Sequence, residues 1–275
     1  VFSLILFFAD GESIMSKIGK LESVWRYPVK SMRGEEVDEI FVSFAGLMGD
    51  RVYAISATSS PKEFPWHTAR EYERFVLHQA YFKNRKATLK PDNMQEALDN
   101  PAVLNPAYPT KEAFAVNVKT PDGEVYDIES PEFLENISGQ SEGQLKLHYT
   151  QRSITDCRPV TLFSLQTLEQ LKQETKLDID KLQFRSNFYV DWDNSAGFYE
   201  DQLVGKKIHV GDTVELMIIE RDPRCKFITI NPETAETEPK LLKHVTRKHE
   251  GFTGVYAAVL KEGPVNKGDE IVIAE

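Results

Sequence analysis

The chain has 275 residues, 41% of them hydrophobic, enough to bury a core as one large domain or two ordinary ones. A formal net charge of −10 opposes sequence-independent attraction to nucleic acid or to an anionic lipid surface. The two cysteines, Cys157 and Cys225, form no C-x-x-C pair, so neither a zinc knuckle nor a disulfide framework is suggested; two thiols fit a reducing compartment, the cytoplasm.

Val1 to Ala9 is apolar but too short to span a bilayer, and it lacks the basic flank of a signal peptide. Residues 1–16 are therefore read as a leader or upstream segment, with Met15 as the expected start. From Lys17 the text is dominated by short β-branched and aromatic runs: Leu21 to Tyr27, Glu39 to Phe44, Arg51 to Ser56, Ala113 to Lys119 and Val125 to Ile128. Pro91 to Pro109 reads as a loop, and Pro121-Asp122-Gly123 as a hairpin turn. A helix is expected over Pro131 to Ser138, with Ser130 as N-cap and Pro131 in its first position. Ser164 to Lys176 sets Leu165, Leu168 and Leu171 on one face and predicts a second helix. Strands resume at Phe184 to Asp191, Lys207 to Val210, Thr213 to Glu220, Lys226 to Asn231, Gly254 to Leu260 and Glu270 to Ala274. Many short strands with Gly-Asp turns point to a mainly β (α+β) fold with a barrel and a few helices. The boundary between halves is expected near Asn136 to Gly143, giving units at 17–140 and 141–275.

Three clusters carry chemistry. Tyr27-Pro28-Val29-Lys30-Ser31 ends a strand and is followed by Gly49-Asp50-Arg51. Lys, Ser and Arg at strand ends offer phosphate a point charge, a hydroxyl and a two-pronged donor; a solvated turn with a surface arginine is the competing explanation. In Phe184-Arg185-Ser186-Asn187-Phe188, strand alternation would turn Arg185 and Asn187 to one face. A buried Arg there calls for an anionic partner, whereas an exposed one needs none. In Arg221-Asp222-Pro223-Arg224-Cys225-Lys226 a cysteine sits among cations that favour its thiolate, the form that ligates a soft metal; a small buried hydrophobe is the commoner role of a lone Cys. Cys157, between Asp156 and Arg158, repeats that setting more weakly. The six histidines show no H-x-x-x-H or H-E-x-x-H spacing, and the run His244, Arg247, Lys248, His249 reads as a solvated helix face. Trp66, Tyr81 and Trp192 are candidate pocket walls, with core packing as the competing role.

The three clusters in this order resemble the MOSC family, in particular the subgroup with an N-terminal β-barrel domain that includes the mitochondrial amidoxime reducing component and its bacterial relatives. Further matching text is Gly34, Gly46-Leu47, Thr68-Ala69-Arg70, Thr229 with Asn231-Pro232-Glu233-Thr234, and Gly254-Val255-Tyr256 through Gly268-Asp269. The resemblance implies a MOSC β-barrel domain behind an N-terminal β-rich domain. It implies further that Lys30, Ser31 and Arg51 contact the phosphate end of a molybdopterin, that Arg185, Asn187 and Arg224 hold the cofactor, and that Cys225 ligates molybdenum. Pyridoxal phosphate binding also travels with the family at its broadest level.

The activity implied is a molybdenum-dependent oxidoreductase that reduces N-hydroxylated or N-oxide small molecules. Without a Cys-rich ferredoxin-like extension, electrons are expected from separate ferredoxin-, flavodoxin- or cytochrome b5-type proteins with a reductase. The alternative is a carrier of the molybdenum cofactor, or of sulfur on Cys225, with no turnover of its own. Two departures bear on substrate range: Asn231 stands where the amidoxime-reducing relatives carry Asp, and Pro223 stands two residues before the cysteine; both are expected beside the metal. Cys157 is read as structural.

Overall fold

The computed structural model describes residues 15–139 and 143–274; the leader reading of residues 1–14, and part of the expected boundary segment, lie outside the described residues. Seven strands close into a barrel. Around its circumference run Met15–Arg26, Phe188–Trp192, Val160–Ser164, Phe252–Lys261, Val214–Pro223, Lys207–Val210 and Glu270–Ala274, the last pairing back to the first. All of these pairings are antiparallel except that between Val160–Ser164 and Phe188–Trp192. Alternation supplies the interior: Ile208 and Val210, then Val214, Leu216 and Ile218, then Val255, Ala257 and Val259 turn inward and are buried.

Three smaller sheets flank the barrel. Gln79–Phe82, Val116–Lys119 and Val125–Asp127 form one; Tyr53–Ala57 pairs with Leu145–Tyr149 in another; Glu39–Ser43 lies between Gly263–Asn266 and Gly46–Leu47 in the third. The chain's two halves are thus interlaced, since the barrel takes its first strand from the N-terminal half and lends Gly263–Asn266 to a sheet there. One apolar core runs through both halves, and a second cluster, containing Phe184, Ile228, Leu241 and Val245, lies under the helices.

The helix Pro131–Ser138 begins as expected, with Ser130 Oγ accepting from Phe133 N at 3.2 Å. Leu165–Thr175 is capped by Ser164, whose Oγ accepts from Thr167 N at 3.1 Å, and it ends on left-handed Lys176. Two expected strands take other forms. Lys181–Phe184 is a short 3₁₀ helix held by an Asp180/Gln183 capping box, Arg185 follows in left-handed conformation, and the strand begins only at Phe188. Lys226–Thr229 is likewise a 3₁₀ turn, in which Thr229 Oγ1 donates to Lys226 O at 2.7 Å. In both places local side-chain hydrogen bonds outcompete β-propensity. Gln79–Phe82, Leu145–Tyr149 and Val160–Ser164 are strands the sequence does not announce, and a helix, Met94–Asp99, forms inside the expected Pro91–Pro109 loop.

Arg26, at the end of the first barrel strand, has no exposed side-chain surface. Its Nε donates to Glu35 Oε1 at 2.8 Å, Nη1 donates to Met48 O at 3.1 Å and to Thr88 O, and the guanidinium lies 4.5 Å from the Phe82 ring centre. Burial pulls this guanidinium down to about 10 despite Glu35. Removing the carboxylate strands a buried cation, so Glu35→Ala should cost about 3–5 kcal/mol of stability. Urea unfolding checks this, and a loss below about 1 kcal/mol would refute the assignment.

Candidate functional site

The first barrel strand runs into Tyr27–Ser31. Buried Asp50 fixes this exit: its Oδ1 accepts from Tyr27 N at 2.8 Å, while Arg51 N donates to Tyr27 O at 2.6 Å. Gly49 precedes it at φ +76°, where a Cβ would meet Arg26 Nη1 at 2.9 Å. Lys30 Nζ bonds Ile154 O at 3.2 Å and pairs with Asp156. Burial pulls the Lys30 ammonium down; Asp156 opposes this, and Arg51 and Arg185 reinforce it. Ser31, at φ 70°, is buried, and its hydroxyl makes no hydrogen bond among the described residues.

Arg51 pairs with Asp50 and donates from Nη2 to Arg185 O at 3.0 Å. Both guanidiniums lie over the Tyr27 ring, Arg51 at 4.8 Å and Arg185 at 4.1 Å from its centre. Arg185 Nη1 donates to Met32 O at 2.7 Å, but its buried Nη2 has no partner. Burial pulls Arg185 down to about 10, with Tyr27 opposing. Two residues on, Asn187 binds both neighbouring strands: Nδ2 donates to Trp25 O at 3.2 Å and Oδ1 accepts from Thr161 Oγ1 at 3.1 Å. Its amide is a staple between strands.

The third arm is held by Arg224. Its Nε donates to Thr253 O at 2.7 Å and Thr253 Oγ1 at 2.9 Å, and its Nη1 reaches Phe184 O at 3.0 Å and Asp222 Oδ2 at 2.8 Å. Gly254, at φ +71°, admits this packing, since a Cβ there would meet Leu162 O at 2.6 Å and Arg224 Nη2 at 3.1 Å. Burial pushes the Asp222 carboxyl up, Arg224 opposing; Tyr256, buried and bonded to Asp222, is pushed well above its ordinary value. Cys225 follows, a free and exposed thiol. The cations that flank it in sequence are engaged elsewhere: Arg221 with Glu250 at 2.6 Å, Arg224 with Asp222, and Lys226 with Glu73 at 2.6 Å. None of the three is thus an unpaired charge beside the thiol. Lys226 also donates to Arg70 O at 2.8 Å and so ties this arm to the N-terminal half.

The three arms meet. Lys30, Ser31, Arg51, Arg185, Asn187, Arg224 and Cys225 all line one cavity of about 130 Å³, with Phe184, Phe227 and Ile228 as apolar wall. Strand alternation does not bring Arg185 and Asn187 together, as the sequence suggested; the left-handed turn at Arg185 does.

A model of the MOSC domain matches residues 149–272, and a model of the MOSC N-terminal beta barrel domain matches residues 18–125. The chain is a MOSC-domain protein. It is 23% identical over 288 residues to mitochondrial amidoxime reducing component 2 of Macaca fascicularis, covering 94% of this chain and 84% of that one. The Rattus norvegicus protein of the same name is 22% identical over 295 residues, with the same coverage. Among solved structures, the YUAD protein from Bacillus subtilis aligns with a TM-score of 0.47 at 14% identity, covering 96% of this chain and 99% of that one. Among the described residues no helix is long and apolar enough to cross a membrane.

Within this MOSC site the structure corrects several expectations. Cys157 is not structural: it is exposed and lines the cavity with Cys225. Asn231 does not line it; its Oδ1 accepts from Glu233 N at 2.8 Å and Thr234 N at 3.1 Å, a turn-making role that Asp would fill equally. Pro223 does line it, whereas Trp66, Tyr81 and Trp192 do not; Trp192 packs in the core, 5.6 Å from the Tyr199 ring. Asp156, Asp222 and Tyr256 line the cavity without having been singled out, and Arg70, noted only as motif text, joins them over the Phe64 ring at 4.0 Å.

Two exposed thiols in one small cavity should both react with Ellman's reagent in the native protein, and Cys157→Ser and Cys225→Ser should each remove one equivalent. Alkylation of Cys157 in the Cys225→Ser background should be slowed by any ligand that fills the cavity. A single reactive thiol in the native protein would contradict the exposure of both.

Proposed function

We propose that this MOSC protein binds the molybdenum cofactor and reduces small N-hydroxylated compounds with electrons from separate redox proteins. The observation that carries the proposal is the convergence of Lys30, Ser31, Arg51, Arg185 and Cys225, from three distant stretches of chain, on one cavity. The residues suit such a group chemically. Arg185 keeps a buried donor without a partner and Ser31 a hydroxyl without one, an arrangement that favours an anionic ligand. Cys225 offers an exposed sulfur, the soft donor that molybdenum chemistry uses.

Lys30, Ser31 and Arg51 would hold the phosphate end, and Arg185 would cover it from the opposite arm. Asn187 and Arg224, their groups largely taken up by Trp25, Thr161, Thr253 and Asp222, would act as positioning residues that fix where Arg185 and Cys225 point. The apolar wall of Phe184, Phe227 and Ile228 keeps water from part of the cavity. When bound, the cofactor supplies the two-electron chemistry that cleaves an N–O bond, taking up two protons and releasing water and the N–H product. The names of the mammalian relatives, amidoxime reducing components, support this substrate class.

Protein made in a cofactor-replete host should carry near-stoichiometric molybdenum and pterin. Cys225→Ala should abolish reduction of a small N-hydroxylated amidine by a chemical electron donor, and Arg185→Met should lower pterin content at least tenfold. Full cofactor content without turnover would leave a carrier role, and absence of both metal and pterin would refute the proposal.

A further inference from the structure

On the side of the molecule formed by the two longest helices, three metal-ligating side chains converge outside the cavity. Glu174 lies in the last turn of Leu165–Thr175, His244 in Pro239–Lys248, and His249 caps that second helix. Glu174 Oε2 accepts from His244 Nε2 at 2.7 Å and from His249 Nε2 at 2.6 Å. The three ligand atoms all lie within 4.8 Å of one another.

We propose that Glu174, His244 and His249 form a surface site for a zinc-class divalent cation, with solvent as the fourth ligand. Two imidazole nitrogens and one carboxylate oxygen are a ligand set zinc takes, at about 2.0–2.2 Å each, which spaces tetrahedral ligands roughly 3.4 Å apart. The two Glu–His separations, 2.7 and 2.6 Å, therefore need to open by less than about 1 Å to admit the ion. Neither His244 nor His249 uses Nδ1 in a hydrogen bond among the described residues, so in the neutral ring the proton can sit there and leave Nε2 as a ligand.

The ligands are held in place before any ion arrives. Gln170 Nε2 donates to Glu174 Oε1 at 2.7 Å, leaving Oε2 to face the histidines. The His249 ring stacks on Phe198 with centres 4.0 Å apart and planes 14° from parallel. Both helices also present their C-terminal ends here, where the backbone dipoles favour a cation. An ion would clamp the two helices that cover Ile228, close behind Cys225.

The test is titration of the chelator-treated full chain with Zn²⁺ alone, followed by calorimetry and thermal unfolding, in a Cys157→Ser/Cys225→Ser background that removes competing thiols. One equivalent should bind and raise the melting temperature. His244→Gln and Glu174→Gln should each weaken binding at least tenfold, while unfolding of these variants in EDTA shows whether they fold. Co²⁺ added to the native chain should give visible ligand-field bands that His244→Gln removes, without the near-ultraviolet charge-transfer band of a thiolate. Absence of saturable Zn²⁺ binding in the cysteine-free background, or binding unaffected by His244→Gln, would overturn the site.

Discussion

Everything at the cavity depends on the pairing of Met15–Arg26 with Phe188–Trp192, the seam that closes the barrel. Val24 stands opposite Phe188, so the segment leaving the first strand and the segment entering the second lie side by side. Trp25 N donates to Asn187 O at 2.8 Å, Asn187 Nδ2 answers to Trp25 O at 3.2 Å, and Tyr27 Oη reaches Ser186 O at 3.2 Å. Because side chains alternate strictly along a strand, a slip of one residue would turn the inward set outward, so the register is strongly held. Through this seam, and the contacts of Arg185 with Met32 O and of Arg51 with Arg185 O, Lys30 and Arg185, 155 positions apart in the chain, come to line one cavity.

Two buried guanidiniums show what the seam is for. Arg26 has two backbone carbonyls and a carboxylate, and its Nη2, which makes no aligned hydrogen bond, still lies 2.7 Å from Glu35 Oε1 as an ion pair. Arg185 is partly buried, and it has one carbonyl, two aromatic faces at 4.1 and 5.0 Å, and a buried Nη2 that no carboxylate or carbonyl meets. Aromatic contact returns only about 2 kcal/mol to a desolvated cation, less than a carboxylate partner would. Ser31, Arg51 and Arg185 moreover all hold positive φ, at a cost of about 1–3 kcal/mol each. Strain and an unmet donor thus sit together on one cavity wall, the combination on which the proposed anionic ligand rests.

The sequence made legible those parts of this arrangement whose signals are local. Helix Pro131–Ser138 is written in Ser130 and Pro131, and the strands Lys207–Val210 and Glu270–Ala274 in their alternation. The seven site residues were found as motif text, and the structure brings all seven to one cavity. What stayed hidden is governed by side-chain caps that strand propensity does not weigh, or by partners far away in the chain. Arg185 sits in a left-handed turn because Asp180 and Gln183 cap the helix before it, which β-propensity does not register. Val160–Ser164 is too short and unpatterned to announce itself, and is a strand because two neighbours pair with it. His244 and His249 read as a solvated face because the carboxylate they share is Glu174, seventy residues upstream.

The charge around Cys225 differs from what its sequence neighbours suggest. Arg221, Arg224 and Lys226 look in sequence like a positive collar, but each is answered by an acid of its own. Arg224 is better described as the bolt that joins Thr253, Phe184 and Asp222 and so fixes the backbone on which the cysteine stands. Arg51 too has an acid of its own, Asp50, so among the arginines that line the cavity Arg70 and Arg185 are the two with no ion-pair partner among the described residues. Residues from both halves of the chain, Lys30, Ser31 and Arg51 from one and Arg185, Arg224 and Cys225 from the other, thus line a single cavity.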